Sequence, residues 1–124
     1  MRPARRLTVV QPPEAERANR LLLGYVNARG GRATSAALLA GERRLAAFAW
    51  THGYIPGTVY VEADTRSPRS ALGALLEAAQ RQNATAVAVA TVADLGPTPT
   101  LQRLMRERIT RKGIVVLVLE ELGA

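Results

Sequence analysis

Four apolar runs of strand length punctuate the chain, and between them apolar residues recur every three or four positions. The first run, Leu21-Leu22-Leu23-Gly24-Tyr25-Val26, is continuous rather than alternating, as in a strand covered on both faces. Asn27-Ala28-Arg29-Gly30-Gly31-Arg32 follows, with two glycines and no apolar period, and predicts a loop. Thr34 or Ser35 then caps a helix from about Ala36 to Thr51. Leu38, Leu39, Leu45, Phe48 and Ala49 share one of its faces, and Gly53 suits its C′ position.

The second run is Thr58-Val59-Tyr60-Val61-Glu62. After a loop over Asp64-Thr65-Arg66-Ser67-Pro68, Ser67 caps a second helix with Pro68 at its first position. This helix carries Leu72, Leu75, Leu76 and Ala79 and ends near Asn83. The third run extends from Ala84 to Val92, and a turn follows at Leu95-Gly96-Pro97-Thr98-Pro99. A third helix spans Thr100 to Arg111 through Leu101, Leu104, Met105 and Ile109, closed by Gly113, and Ile114 to Leu119 form the last strand. Alternation of four strands with three helices predicts β-α-β units, hence an α/β three-layer sandwich around a mainly parallel four-stranded sheet.

Residues 21–124 read as one such domain, and residues 1–20 as a flexible basic tail stopped by Gln11-Pro12-Pro13. Within the tail, Leu7 to Val10 is long enough to add an edge strand. Neither repeat nor linker interrupts the pattern.

Charge changes the picture next. The 124 residues carry 17 Lys plus Arg against 10 Asp plus Glu, a formal charge of +7, and every basic residue but Lys112 is Arg. The excess is uneven: the first 44 residues are net +6, the block Arg103, Arg106, Arg108, Arg111 and Lys112 with Glu107 is net +4, and residues 45–100 are net −1. Such a domain is attracted to polyanions, because phosphate contacts release condensed counterions. The excess of Arg and Ala is equally what a GC-rich genome produces without any functional reason.

Composition also removes whole classes of chemistry. Without cysteine there is no disulfide, thiolate metal site or thiol nucleophile. The single histidine, His52, reads as a surface residue at a helix end, too little for a zinc site or a Ser/His/Asp relay. Five aromatic residues give no stacking platform for single-stranded nucleic acid, and Trp50 reads as core or interface packing. Arg29-Gly30-Gly31-Arg32 lacks the spacing of a phosphate loop. Glu62 and Asp64 read as solvated or Arg-paired carboxylates rather than cation ligands, so no cofactor and no metal is expected. No stretch approaches the roughly 20 apolar residues of a membrane span, and a cytoplasmic protein is expected.

Several strings resemble the catalytic domain of serine recombinases, the resolvase and invertase family. Gly24-Tyr25-Val26-Asn27-Ala28-Arg29 is similar to the family's opening Gly-Tyr-x-Arg-Val-Ser. Gly53-Tyr54 followed by Val59-Tyr60-Val61-Glu62-Ala63-Asp64 is similar to the Gly-Tyr step that ends the family's next helix and the strand after it that leads to an acidic residue. Arg69-Ser70-Ala71-Leu72 corresponds to Arg-Pro-x-Leu, and Val92-Ala93-Asp94-Leu95-Gly96-Pro97 to the segment that ends in Asp-Arg-Leu-x-Arg. The resemblance spans about Leu21 to Leu122. It implies a resolvase-like fold and a chemistry in which a serine hydroxyl attacks a DNA phosphodiester among clustered guanidinium groups.

Carried over residue by residue, most of that chemistry is substituted. Asn27 stands at the first catalytic Arg, Arg29 at the nucleophilic Ser, and Ala93, Asp94 and Pro97 at the Asp and both Arg of the third motif; only Arg69 remains. An Asp at position 94 is expected to repel a scissile phosphate. On this reading no residue is assigned a catalytic role, the domain is not an enzyme, and Arg29, Arg32, Arg69, Arg103, Arg106 and Arg111 are candidate anion or DNA contacts. The family's long helix and DNA-reading domain have no counterpart before Gly123-Ala124.

Three functions follow as alternatives. The favoured one is a recombinase-like module without activity that binds protein, either itself as a homodimer or a related recombinase. The second is non-specific nucleic-acid binding through the Arg-rich tail and the Arg103 to Lys112 helix. On a helical wheel Arg103 and Arg106 stay together and Arg111 lies well round, so the basic stripe is only partly formed. The third is an active strand-transfer enzyme in which Arg32-Ala33-Thr34-Ser35 supplies a relocated hydroxyl.

Overall fold

The computed structural model describes residues 20–28, 35–63 and 70–123. In chain order these form β1 (Leu21–Asn27), α1 (Ser35–Thr51), β2 (Ile55–Glu62), α2 (Ser70–Gln82), β3 (Ala86–Val89), a 3-10 turn (Val92–Leu95), α3 (Pro99–Thr110), β4 (Val115–Val118) and a last 3-10 turn (Leu119–Leu122). The expectations about the tail, its Leu7–Val10 strand, Thr34 and the Ser67-Pro68 cap lie outside the described residues.

All three strand pairings are parallel, in the order β2-β1-β3-β4. The chain therefore moves one way along the sheet through α1 and the other way through α2 and α3. Right-handed crossovers then put α1 on one face and the other two helices on the opposite face. Side chains sort by the two-residue period of the strands. Leu23, Tyr25, Val87 and Val89 point into the larger core with Leu72, Leu75, Met105 and Ile109. Leu22, Ala86 and Ala88 point to the smaller core with Leu45, Phe48 and Ala49 of α1. Thus Ala-Val-Ala-Val in β3 places its bulk toward the two-helix side.

Several boundaries differ from the sequence reading. β2 begins at Ile55, three residues before the expected start at Thr58, and so takes in Pro56 and Gly57. On an edge strand a proline is tolerated. A Cβ at position 57 would lie 2.9 Å from the side chains of Leu21 and Leu23, so the glycine serves close packing of β2 on β1. β3 ends at Val89, short of the expected Val92, where the chain turns into the 3-10 segment. Thr98, one of the residues read only as turn, caps α3, its hydroxyl accepting from the Leu101 amide at 3.2 Å with Pro99 in the first turn.

α1 packs only its second half. Leu45, Phe48 and Ala49 are buried, whereas Leu39 of the expected apolar face is 47% exposed. Trp50 is 70% exposed, which removes it from the core. His52 is an exposed helix-end residue as expected, stacked on Phe48 with ring centroids 4.0 Å apart. Gly53 has φ 80°, as its C′ role requires.

Gly24 in the central strand is the tightest point of the smaller core: a Cβ there would stand 2.9 Å from Leu45 Cδ2 and 3.0 Å from Val59 Cγ2. Gly24→Ala is expected to lower stability by about 1–3 kcal/mol through overpacking. A urea midpoint equal to that of the wild type would contradict this packing.

Candidate functional site

In an open α/β sheet the connections that follow the carboxyl ends of the strands form the binding crevice. β1 and β2 run parallel with Asn27 opposite Glu62, so the chain leaves both strands side by side. The bond from the Ala28 amide to the Glu62 carbonyl, 2.8 Å, carries the pairing one residue further.

Two acidic residues organise this end of the sheet. Glu62 is fully buried, out of reach of solvent. Its carboxylate accepts from the Tyr25 hydroxyl at 3.1 Å and from the Ala71 and Leu72 amides at 3.0 and 3.3 Å. The two amides are among the free donors of the first turn of α2, where helix ends need acceptors and favour negative charge. Glu62 therefore ties β1, β2 and the start of α2 together. Asp94, 5% exposed, makes a second junction. Its Oδ1 accepts from the Asn27 amide at 3.1 Å, and its Oδ2 accepts from the Thr91 amide at 3.1 Å and the Thr91 hydroxyl at 3.5 Å.

These geometries correct two sequence expectations. Glu62, one of two carboxylates read as solvated or Arg-paired, is not solvated: it is buried and caps α2. Asp94, expected to repel a phosphate, has its carboxylate turned inward and engaged by the amides of β1 and of the 3-10 turn. The missed signal for Glu62 is its place at the end of an apolar strand, eight residues before the helix start at Ser70, a separation that hides the cap from any local motif.

Of the candidate contacts, Arg29, Arg32 and Arg69 lie outside the described residues, as does Asp64. Arg103, Arg106 and Arg111 are on α3 and its C-cap. Arg106 approaches Glu121 at 3.8 Å, and both side chains are about half exposed. With about 100° per helical residue, Arg111 lies on the opposite side of α3 from Arg106, so the three guanidinium groups form no single surface. Among the described residues no group of three or more His, Asp or Glu side chains is arranged to hold a metal ion. Nor does any described helix have the length and apolarity to cross a membrane.

The fold is that of serine recombinase catalytic domains. The N-terminal catalytic domain of TP901-1 integrase superposes with a TM-score of 0.64 at 16% identity, over 82% of this chain and 78% of that one. The C-terminal catalytic domain of ISC1926 TnpA, an IS607-like serine recombinase, gives 0.64 at 15% identity, over 80% and 69%. No protein-family model and no curated protein matches the chain. The expectation that the domain is not an enzyme is corrected by this finding, because both similar structures are catalytic domains.

Removing either carboxylate strands buried donors, each at about 1–3 kcal/mol. Asp94→Ala is expected to cost at least that much in urea unfolding, and Asp94→Asn, which keeps an acceptor, distinctly less. Equal losses for the two would show that hydrogen bonding at this junction is not what holds it. The same ordering is expected for Glu62→Ala against Glu62→Gln.

Proposed function

We propose that this chain works on DNA in recombination, holding the phosphodiester backbone at the carboxyl end of its parallel sheet and assembling there with a second copy or a related recombinase. The observation that carries the reading is the side-by-side exit of β1 and β2, opposite one another at Asn27 and Glu62. The segments that contain Arg29 and Arg32 on one side and Arg69 on the other begin at those exits. The likeness of the fold to two recombinase catalytic domains supports the same assignment.

Guanidinium groups suit this task because their planar fork binds phosphate oxygens in pairs and keeps its charge at any physiological pH.

Fluorescence anisotropy of a labelled duplex at low and at physiological salt tests the reading. Binding at low salt is expected, with log K falling linearly against log salt. The triple variant Arg29→Ala, Arg32→Ala, Arg69→Ala is expected to weaken it and to lower the slope by about 0.9 for each phosphate that is no longer neutralised. Absence of binding at low salt, or a triple variant that binds as the wild type does, overturns it. Sedimentation with and without the duplex reads the assembly, and a single chain on DNA at every concentration would remove that part.

A further inference from the structure

The flank of α3 opposite Arg106 carries a pattern that DNA contact does not explain. Leu101, Leu104, Arg108 and Arg111 fall within an arc of about 80° on the helix. Leu101 is 43% and Leu104 53% exposed. Met105 and Ile109 mark the side of α3 that faces the sheet. Arg106 lies to one side of that direction and reaches Glu121, in the turn that follows edge strand β4. The leucine and arginine stripe lies to the other side, toward α2.

A cleft occupies the same flank. The C-terminal half of α2 and the turn from α3 into β4 enclose about 490 Å³, with Leu76, Ala79, Ala84 and Ile114 as its apolar lining and Gln80 and Lys112 among its polar residues. α2 packs chiefly on β1 and β2, and α3 on β4 and the preceding 3-10 turn, so each helix is seated on the sheet separately and a groove is left between them. That cleft has an apolar lining with Lys112 beside it, and the exposed Arg111, Arg108, Leu104 and Leu101 continue from it along the same flank of α3. Glu107 lies about 40° beyond Arg111, away from the groove.

We propose that this groove docks an acidic amphipathic segment of a partner protein. Its apolar side chains would lie on Leu101, Leu104 and the cleft, and its carboxylates would meet Arg108, Arg111 and Lys112. The charge selects the occupant. A second copy of this chain, itself +7, would bring like charge to these basic residues. A phosphate backbone would leave two exposed leucines without an apolar counterpart. An amphipathic helix in a groove satisfies both features, and the 12 residues of α3, about 18 Å long, match a partner of about three turns. This site is distinct from the carboxyl end of the sheet, so the DNA reading stands or falls without it.

The test uses the full chain and a labelled synthetic peptide of about three helical turns, with leucines at i, i+3, i+4 and i+7 and glutamates on the flanks. Micromolar binding is expected, weakened about tenfold or more by Leu104→Asp and by Arg108→Glu. A scrambled peptide of the same composition is expected to bind about tenfold less well. Both substituted positions are exposed, and thermal unfolding of each variant checks that it folds; Arg108→Glu keeps the test open should Leu104→Asp fold poorly. No binding, equal binding of the scrambled peptide, or indifference to Leu104→Asp overturns the proposal. So does displacement of the peptide by a short DNA duplex whose own binding is abolished in Leu104→Asp and Arg108→Glu, since the groove would then belong to nucleic acid.

Discussion

A carboxylate excluded from water must find donors, and in this protein that requirement joins the elements around the carboxyl end of the sheet. Glu62 gathers a hydroxyl from β1 and two amides from the first turn of α2, while its own backbone pairs with the residue after β1. Burial of an ionised group is costly unless such partners surround it. The strand end, the helix start and the central strand are consequently fixed relative to one another by a single side chain. Asp94 repeats the device on the other side of β1, joining it to the turn that follows β3. Between them the two acids fix both flanks of the place from which the chain leaves β1.

Most of the architecture was legible in the sequence. Buried parallel strands read as continuous apolar runs, and the helices announced themselves through Leu72, Leu75 and Ala79 or Met105 and Ile109. What escaped were features whose cause lies across the fold. The start of β2 at Ile55 escapes because nothing local to Pro56 and Gly57 indicates that β2 lies at an edge, or that Leu21 and Leu23 press against position 57. Glu62 looked like a surface acid because its helix partner starts eight residues later. Asp94, aligned with a family Arg, was read for the charge it would present to a ligand, although its acceptors face inward.

On α3 the sequence shows the division of the basic block but not what each part meets. The helical wheel separates Arg111 from Arg103 and Arg106, so the net +4 block predicts only a partial basic stripe. In the fold, Arg106 is drawn to Glu121, and Arg108 and Arg111 share their side with exposed leucines instead. The block is thereby split into two surfaces of different chemical character, one of them partly neutralised within the chain.

The central position of β1 also bears on how the chain is made. In chain order it precedes both of its neighbours in the sheet, which arrive only with residues 55–62 and 86–89. Both edges of a highly apolar strand therefore wait for partners far along the chain, and parallel pairing of this kind forms slowly because long loops must close first. The Leu-rich segment Leu21 to Val26 is therefore open to wrong pairing until residue 89 has been made, and a chaperone that shields it in that interval would raise the yield without altering the finished fold.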